Sequence, residues 1–238
     1  MSESFYRSFS EADLTGFGAR RHERSDRRRL ALITEAFRPP GDLVEIGPGR
    51  GTFALAARAA GWRYRAIDAS SVLVAALRAK GFDVTQSFVP PIPAEDESAD
   101  VIHADQVLEH MPGIDAARSL ASEALRVLRP GGVFSVVVPD YLKEKSFFWD
   151  VDYTHNFVTT DRRVRQLLHD GGFAVERAVP SIGAATGFAR AALSFAGFLS
   201  QLPGTDGAAR LLGLSTLLFQ VRKNLFQTIT FIARKPLK

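Results

Sequence analysis

Three stretches of this 238-residue chain carry side chains whose types and spacing can do chemistry. The first, residues 43–53 (LVEIGPGRGTF), is an apolar run that breaks into Gly47, Pro48, Gly49, Arg50 and Gly51 and then enters an alanine-rich segment. Glycine lacks a Cβ, so such a turn reaches backbone conformations closed to other residues and lets a ligand approach the main chain. The helix start behind it offers unpaired N–H groups. The second is Asp68, about twenty residues beyond the glycines, where a carboxylate in a nucleotide-binding βαβ unit accepts both hydroxyls of a ribose. Asp68-Ala69-Ser70 is also a good helix-start sequence, so a capping role is the alternative.

The third stretch, residues 147–160 (FFWDVDYTHNFVTT), is too rich in aromatics and proton carriers to be only a connector. Imidazole titrates near neutrality, so His155 suits a general base for an oxygen nucleophile, with Asp152 or Tyr153 orienting it. The alternative is a histidine whose bonds only fix the loop. His103, Glu109 and His110 invite comparison with a metal set. However, His103 alternates with core residues on a strand, and Glu109 and His110 are sequence neighbours rather than one helical turn apart, so no metal site is expected.

Positioning these groups takes alternating strands and helices. Leu30, Ile33, Thr34 and Phe37 repeat at helical spacing, and the helix over 26–37 stops at Pro39-Pro40-Gly41. Strands follow at 43–46, up to Asp68, at 82–86 and at 99–104, with helices over 53–60 and 70–80 between the first three. A helix over 114–128 ends at Arg129-Pro130-Gly131-Gly132, ahead of a buried strand at 133–138. A helix at 163–170, a sixth strand through Val179 and a last strand at 226–234 complete the pattern. Between the last two strands lie two apolar helical segments: in the first, Phe188, Ala192, Phe195 and Leu199 share a face, and in the second, Leu211, Leu214, Leu218 and Val221 do. Each is shorter than the roughly twenty apolar residues that span a bilayer. They can cover the core, line an acceptor pocket, mediate dimerisation or touch a membrane.

The glycine turn departs from a dinucleotide fingerprint, because Thr52 stands where its third glycine belongs and Gly51 comes one residue early. With Glu45 ahead of it, E-I-G-P-G-R-G resembles the first motif of class I S-adenosylmethionine (SAM) dependent methyltransferases. A-D-V-I at 99–102, V-L-E-H at 107–110 and L-R-P-G-G at 128–132 resemble later motifs of the small-molecule branch of that family, in the same order. The resemblance covers about residues 40 to 180 and the final strand. It implies an α/β fold with a Rossmann-like seven-stranded sheet whose last strand is antiparallel, here with a helical insert at 181–224.

The resemblance also implies SAM as cofactor. Glu45 and the 47–51 turn would hold its methionine portion, Asp68 with Ala69 its ribose, and Gln86, Ser87, Phe88, Asp105, Gln106 and Val107 the surroundings of its adenine. Phe88 departs from the acidic residue that relatives often have nearby. The implied reaction is methyl transfer to a small-molecule acceptor at oxygen, a sugar or a lipid-linked intermediate, with His155 as base. Two alternatives stay open. One is a noncatalytic scaffold of the same fold or a membrane-associated binding protein. The other is a nicotinamide-dependent oxidoreductase, disfavoured by the glycine spacing and by the missing tyrosine-and-lysine pattern.

Composition narrows the field further. Hydrophobic residues make up 46% and charged residues 24%, the mixture of a folded chain with an ample core, which argues against disorder beyond the termini. The absence of cysteine excludes disulfides, thiolate metal sites and cysteine nucleophiles, and suits the cytoplasm. The first residues lack an export pattern. One domain over 1–238 is expected, with residues 1–24 a lid. Arg20, Arg21, Arg24, Arg27, Arg28 and Arg29 crowd one segment, where Glu23 and Asp26 can pair with them as a solvated helix face. No nucleic-acid motif is present, so no nucleic-acid partner is expected. Peripheral membrane contact through 184–222 and a dimer remain open.

Overall fold

The computed structural model describes residues 16–237. Its strands are β1 (Asp42–Ile46), β2 (Arg63–Asp68), β3 (Asp83–Gln86), β4 (Ala99–Asp105), β5 (Leu128–Pro139), β6 (Ala174–Ile182) and β7 (Gln227–Arg234). They form one sheet in the order β3-β2-β1-β4-β5-β7-β6. β1 to β5 run parallel. β7 lies antiparallel between β5 and β6, as the resemblance implied. The chain winds outward from β1 to β3 and then returns to β4 on the other side of β1. That reversal makes the C-terminal ends of β1 and β4 the switch point, where open α/β sheets hold their ligands.

The helices are α1 (Phe17–Ala36), α2 (Thr52–Ala59), α3 (Ser71–Ala79), α4 (Ile114–Val127), α5 (Tyr141–Glu144), α6 (Phe147–Asp150), α7 (Asp161–Asp170), α8 (Gly187–Ser200), α9 (Thr205–Leu211) and α10 (Ser215–Asn224). Parallel strands covered on both faces read as continuous apolar runs, and Leu43, Val44 and Ile46 of β1 are buried accordingly. On one face, Leu120 and Ala124 of α4 and Leu167 and Leu168 of α7 pack with Val44, Ile102 and Phe134. On the other, Leu30 and Ile33 of α1 and Phe53 and Ala57 of α2 pack with Leu43, Val101 and Val133.

Three expected boundaries change. The first helix begins at Phe17, not at residue 26, because Arg20, Arg21, Glu23 and Arg24 before Asp26 are good helix formers and no proline stops the helix there. Residues 17–24 of the expected lid are therefore the opening turns of α1, and residues 1–15 lie outside the described residues. β5 begins at Leu128, not at residue 133, because Leu128 already pairs with Ala99 of β4 as α4 ends at Val127. The insert holds three helices rather than two, the second apolar segment being broken where Gly213 takes φ +68°. Phe188 and Leu211 are 89% and 90% exposed, so the insert's apolar faces are not simply a cover for the core. Among the described residues no helix is long and apolar enough to cross a membrane.

Candidate cofactor and acceptor site

The glycine turn joins β1 to α2 at the switch point. Gly47, Gly49 and Gly51 have φ of 70°, 52° and 80°, the left-handed region that a Cβ disfavours. The Gly47 N–H donates to the Ile67 carbonyl and the Gly51 N–H to the Pro48 carbonyl, each at 2.9 Å, so the turn is fixed against β2. It is also closely flanked. A Cβ on Gly51 would come 2.4 Å from Leu77 Cδ2 of α3, and one on Gly47 would come 3.0 Å from Val107 Cγ2 beyond β4. Glu45, one residue before the end of β1, is buried and accepts a bond from the Tyr64 hydroxyl. Burial pushes its carboxyl up to about 8, against the pull of the Tyr64 bond, so it keeps its proton at neutral pH.

Asp68 ends β2 and is buried, with its Oδ1 accepting the Ser70 N–H at 2.8 Å. The helix cap is Ser70, which accepts from the Leu73 N–H at 3.4 Å, so Asp68 is not spent on capping α3. The Ser87 N–H donates to the Asp68 carbonyl at 3.0 Å and brings the 86–88 segment to the end of β2. There Gln86 and Phe88 are exposed, and the Phe88 ring offers a stacking face.

Asp105 stands differently from expectation. Arg29 of α1 forms an ion pair with it and, at 3.2 Å, with Asp26, which also accepts from the Thr52 hydroxyl. The carboxylate assigned to the adenine surroundings is therefore engaged by a cation reaching over from α1. Burial pushes Asp105 up to about 6 although Arg29 pulls it down. Gln106 takes φ +53° and donates its N–H to the Val137 carbonyl at 2.8 Å, a left-handed non-glycine residue held at the crevice. Arg27 and Glu23, paired at 2.7 Å, follow the solvated-face reading of the arginine segment. Arg29 does not, and no local pattern distinguishes it from its neighbours.

Three residues beyond Asp105 the chain enters the 3₁₀ turn Leu108–His110. Glu109 is completely buried, neither of its carboxylate oxygens has a hydrogen-bond partner, and burial pushes it well above the usual carboxylate range. Its carbonyl accepts the N–H groups of Asn156 and Phe157 at 2.8 and 2.9 Å, which ties the aromatic loop to the end of β4. His155 is buried with Nδ1 2.6 Å from the Phe148 carbonyl. A carbonyl only accepts, so Nδ1 carries the proton and Nε2 the lone pair. His110 Nδ1 lies 2.9 Å from the Thr154 hydroxyl, whose own proton goes to Asp152 Oδ1 at 2.7 Å. Burial lowers the pKa of both imidazoles.

These contacts revise the expected roles. The His155 N–H donates to the Asp152 carbonyl at 3.3 Å, but among the described residues no hydrogen bond joins the Asp152 carboxylate to the His155 imidazole. Asp152 acts on His110, through Thr154, and Tyr153 is 76% exposed. The group that orients His155 is the Phe148 carbonyl. Glu109 and His110, sequence neighbours rather than residues one helical turn apart, nevertheless each place one donor atom within 4.8 Å of the other and of one on His155. His155 arrives from the 151–160 loop to complete the group. His103 takes no part. It is stacked on Phe53 at 4.3 Å and paired with the Ser135 hydroxyl at 3.1 Å, and burial pushes it down to about 3.

A separate groove of about 260 Å³ lies between α5 and the insert, with Glu144, Phe195, Phe198 and Gln201 in its wall. None of the expected cofactor residues lines it. At the switch point, by contrast, the closely flanked glycines, the buried Glu45 and the uncapping Asp68 fit a nucleoside with a polar tail laid across β1 and β2.

Comparison with known proteins agrees with this geometry. A family model described as a methyltransferase domain matches residues 17–178. An uncharacterized 37.1 kDa protein in transposon TN4556 of Streptomyces fradiae is 34% identical over 163 residues, covering 60% of this chain and 46% of that protein. A malonyl-[acyl-carrier protein] O-methyltransferase of Methylococcus capsulatus is 33% identical over 156 residues, covering 60% of this chain and 56% of that protein. The chain thus spans about half the length of these curated relatives. Among solved structures, the methyltransferase in complex with the Haloferax volcanii Trm112 methyltransferase activator superposes with a TM-score of 0.69 at 15% identity, over 99% of both chains, and so shares the fold.

Proposed function

The chain belongs to the methyltransferase-domain family, and on that premise we propose that it binds SAM at the switch point and moves the methyl group to an oxygen of a small-molecule acceptor. The observation that carries the reading is the cradle formed by the left-handed glycine turn, Glu45 and Asp68. The backbone of the 47–51 turn would hold the methionine portion, and protonated Glu45 offers a buried hydrogen-bonding group beside it. Asp68 takes the ribose diol, and the 86–88 segment with Val107 flanks the adenine. When bound, SAM supplies an electrophilic methyl group whose sulfonium charge vanishes on transfer, so positioning and exclusion of water carry much of the catalysis.

Oxygen is favoured as the accepting atom on two grounds. The Methylococcus relative is an O-methyltransferase by name. The Glu109–His110–His155 group beyond β4 also offers a neutral imidazole lone pair, at His155 Nε2, that can handle an acceptor proton. The acceptor class we propose is a sugar or a lipid-linked intermediate. The exposed Phe188, Phe195 and Leu211 of the insert suit a surface that meets a membrane presenting such a molecule, through residues 184–222. The same apolar face favours a second reading, a membrane-associated scaffold without catalysis.

Incubating the protein and radiolabelled SAM with separated aqueous and lipid fractions of host extract decides between the readings. The proposal expects label in one small-acceptor fraction, lost with Asp68→Ala. No labelled product from folded, SAM-binding protein, together with co-flotation on phosphatidylglycerol vesicles, supports the scaffold instead.

A further inference from the structure

The geometry points to a divalent transition-metal site formed by Glu109, His110 and His155, with a coordination position left open for the acceptor oxygen. This deepens the proposed O-methyl transfer and rests on it. The starting observation is the Glu109 carboxylate, fully buried with both oxygens unpartnered. A buried carboxylate without a partner is costly, and a bound cation is one of the few ways to satisfy it. The two groups that approach it are imidazoles, and each uses Nδ1 elsewhere. His155 donates its Nδ1–H to the Phe148 carbonyl at 2.6 Å, and His110 donates its Nδ1–H to the Thr154 hydroxyl at 2.9 Å, which itself donates to Asp152 Oδ1 at 2.7 Å. Both lone pairs are thereby left on Nε2. A backbone carbonyl on one histidine and a hydroxyl-to-carboxylate relay on the other are the supports that orient metal-binding imidazoles and raise their basicity.

The dimensions agree. Donors around an ion bound at about 2.1 Å stand on the order of 3.4 Å apart, and the three groups lie within 4.8 Å before any ion draws them in. The widest pair has to close by up to about 1.4 Å, within reach of side-chain rotations. Two imidazoles and one carboxylate favour a first-row ion such as Zn²⁺ over Mg²⁺, which prefers oxygen ligands and keeps its water. Three protein ligands also leave the open position typical of catalytic rather than structural sites.

The site's place in the fold gives it a task. Val107, whose Cγ2 would meet a Cβ on Gly47, is two residues before Glu109, so the metal ligands follow directly from the segment that flanks the cofactor turn. An acceptor hydroxyl bound to the ion loses its proton to solvent water and keeps the oxygen–metal bond. Its oxygen can then form the new bond to the methyl carbon as the carbon–sulfur bond breaks and a neutral thioether leaves. In the metal-loaded chain the ion takes over the proton-handling role that His155 has without it: the Nε2 lone pair is spent on the ion, whose charge makes the acceptor hydroxyl acidic in place of a protein base.

The test is calorimetric titration of chelator-treated, full-length protein with ZnCl₂, and with MgCl₂ as the hard-ion control, followed by Co²⁺ absorption spectroscopy. The proposal expects one Zn²⁺ per chain, no comparable Mg²⁺ binding, visible Co²⁺ bands, and affinity for Zn²⁺ reduced at least about 10-fold in Glu109→Gln. Because Glu109 is in the core, His110→Asn serves as a second variant at a half-buried position, and it is expected to lose affinity as well. Absence of stoichiometric Zn²⁺ binding, or equal binding by wild type and both folded variants, overturns the site. SAM binding by the same chelator-treated wild type is read separately, so failure of the metal site and failure of the methyltransferase reading remain distinguishable.

Discussion

Substitution of Gly51 by alanine separates two costs that the structure places on one residue. The first is conformational. Gly51 sits at φ +80°, and an L-residue held there costs about 1–2 kcal/mol. The second is steric. The new Cβ would lie 2.4 Å from Leu77 Cδ2, more than 1 Å inside ordinary carbon–carbon contact at about 3.5–4.0 Å. Leu77 is 1% exposed and packed among Ala54, Val74, Phe82 and Val84, so it has little room to turn away, and such overpacking adds about 1–3 kcal/mol. The expected total is about 2–5 kcal/mol, a large share of the roughly 5–15 kcal/mol that holds a domain together. Gly61→Ala is the control. It has φ +88° with nothing within 4 Å of the new Cβ, so only the backbone cost of about 1–2 kcal/mol applies. Urea unfolding of both variants measures the difference. In Gly51→Ala/Leu77→Ala the steric part should disappear as a coupling of about 1 kcal/mol or more. Equal destabilisation by Gly51→Ala and Gly61→Ala would refute the reasoning that α3 closes on the turn.

Two further perturbations read the buried charges. Arg29→Ala leaves Asp26 and Asp105 without their shared cation and should destabilise by about 3–5 kcal/mol at pH 8. The loss should be smaller at pH 5, because Asp105, already pushed up to about 6, then takes a proton; equal losses at both pH values would contradict this. Glu144, buried and pushed up to about 8 from 4.5, holds in the folded state a proton that the unfolded chain releases. Its contribution to stability is complete below about pH 4.5 and is lost as pH rises to about 8, with a slope of up to about 1.4 kcal/mol per pH unit. Glu144→Gln should flatten the stability curve between pH 5 and 8, and an unchanged slope in urea titrations would show that this carboxyl is not the source.

The parts of the site legible in the sequence were those encoded locally. The glycines, the apolar runs on either side of them and the acid ending β2 are each a short pattern with one physical meaning, and the turn and Asp68 occupy the places those patterns imply. Groups assembled by tertiary contact were not legible in this way. Arg29 looks like the other arginines of its helix until α1 packs beside β4 and sets it against Asp105. Glu109 and His110 meet His155 only through a loop about 45 residues later, a proximity that the spacing within 107–110 does not encode. Ser70 took the capping role that Asp68 also suited, a choice between adjacent side chains that propensity alone does not make.

The central claim is that the turn between β1 and α2, together with Asp68, forms the SAM pocket. Calorimetric titration of the full-length protein with SAM tests it most directly. The account predicts one molecule bound per chain, with affinity reduced about 10-fold or more in Asp68→Ala as the charge-assisted bonds to the ribose are lost. A correctly folded wild type that takes up no SAM, or an Asp68→Ala variant that binds it as tightly as wild type, would contradict the account.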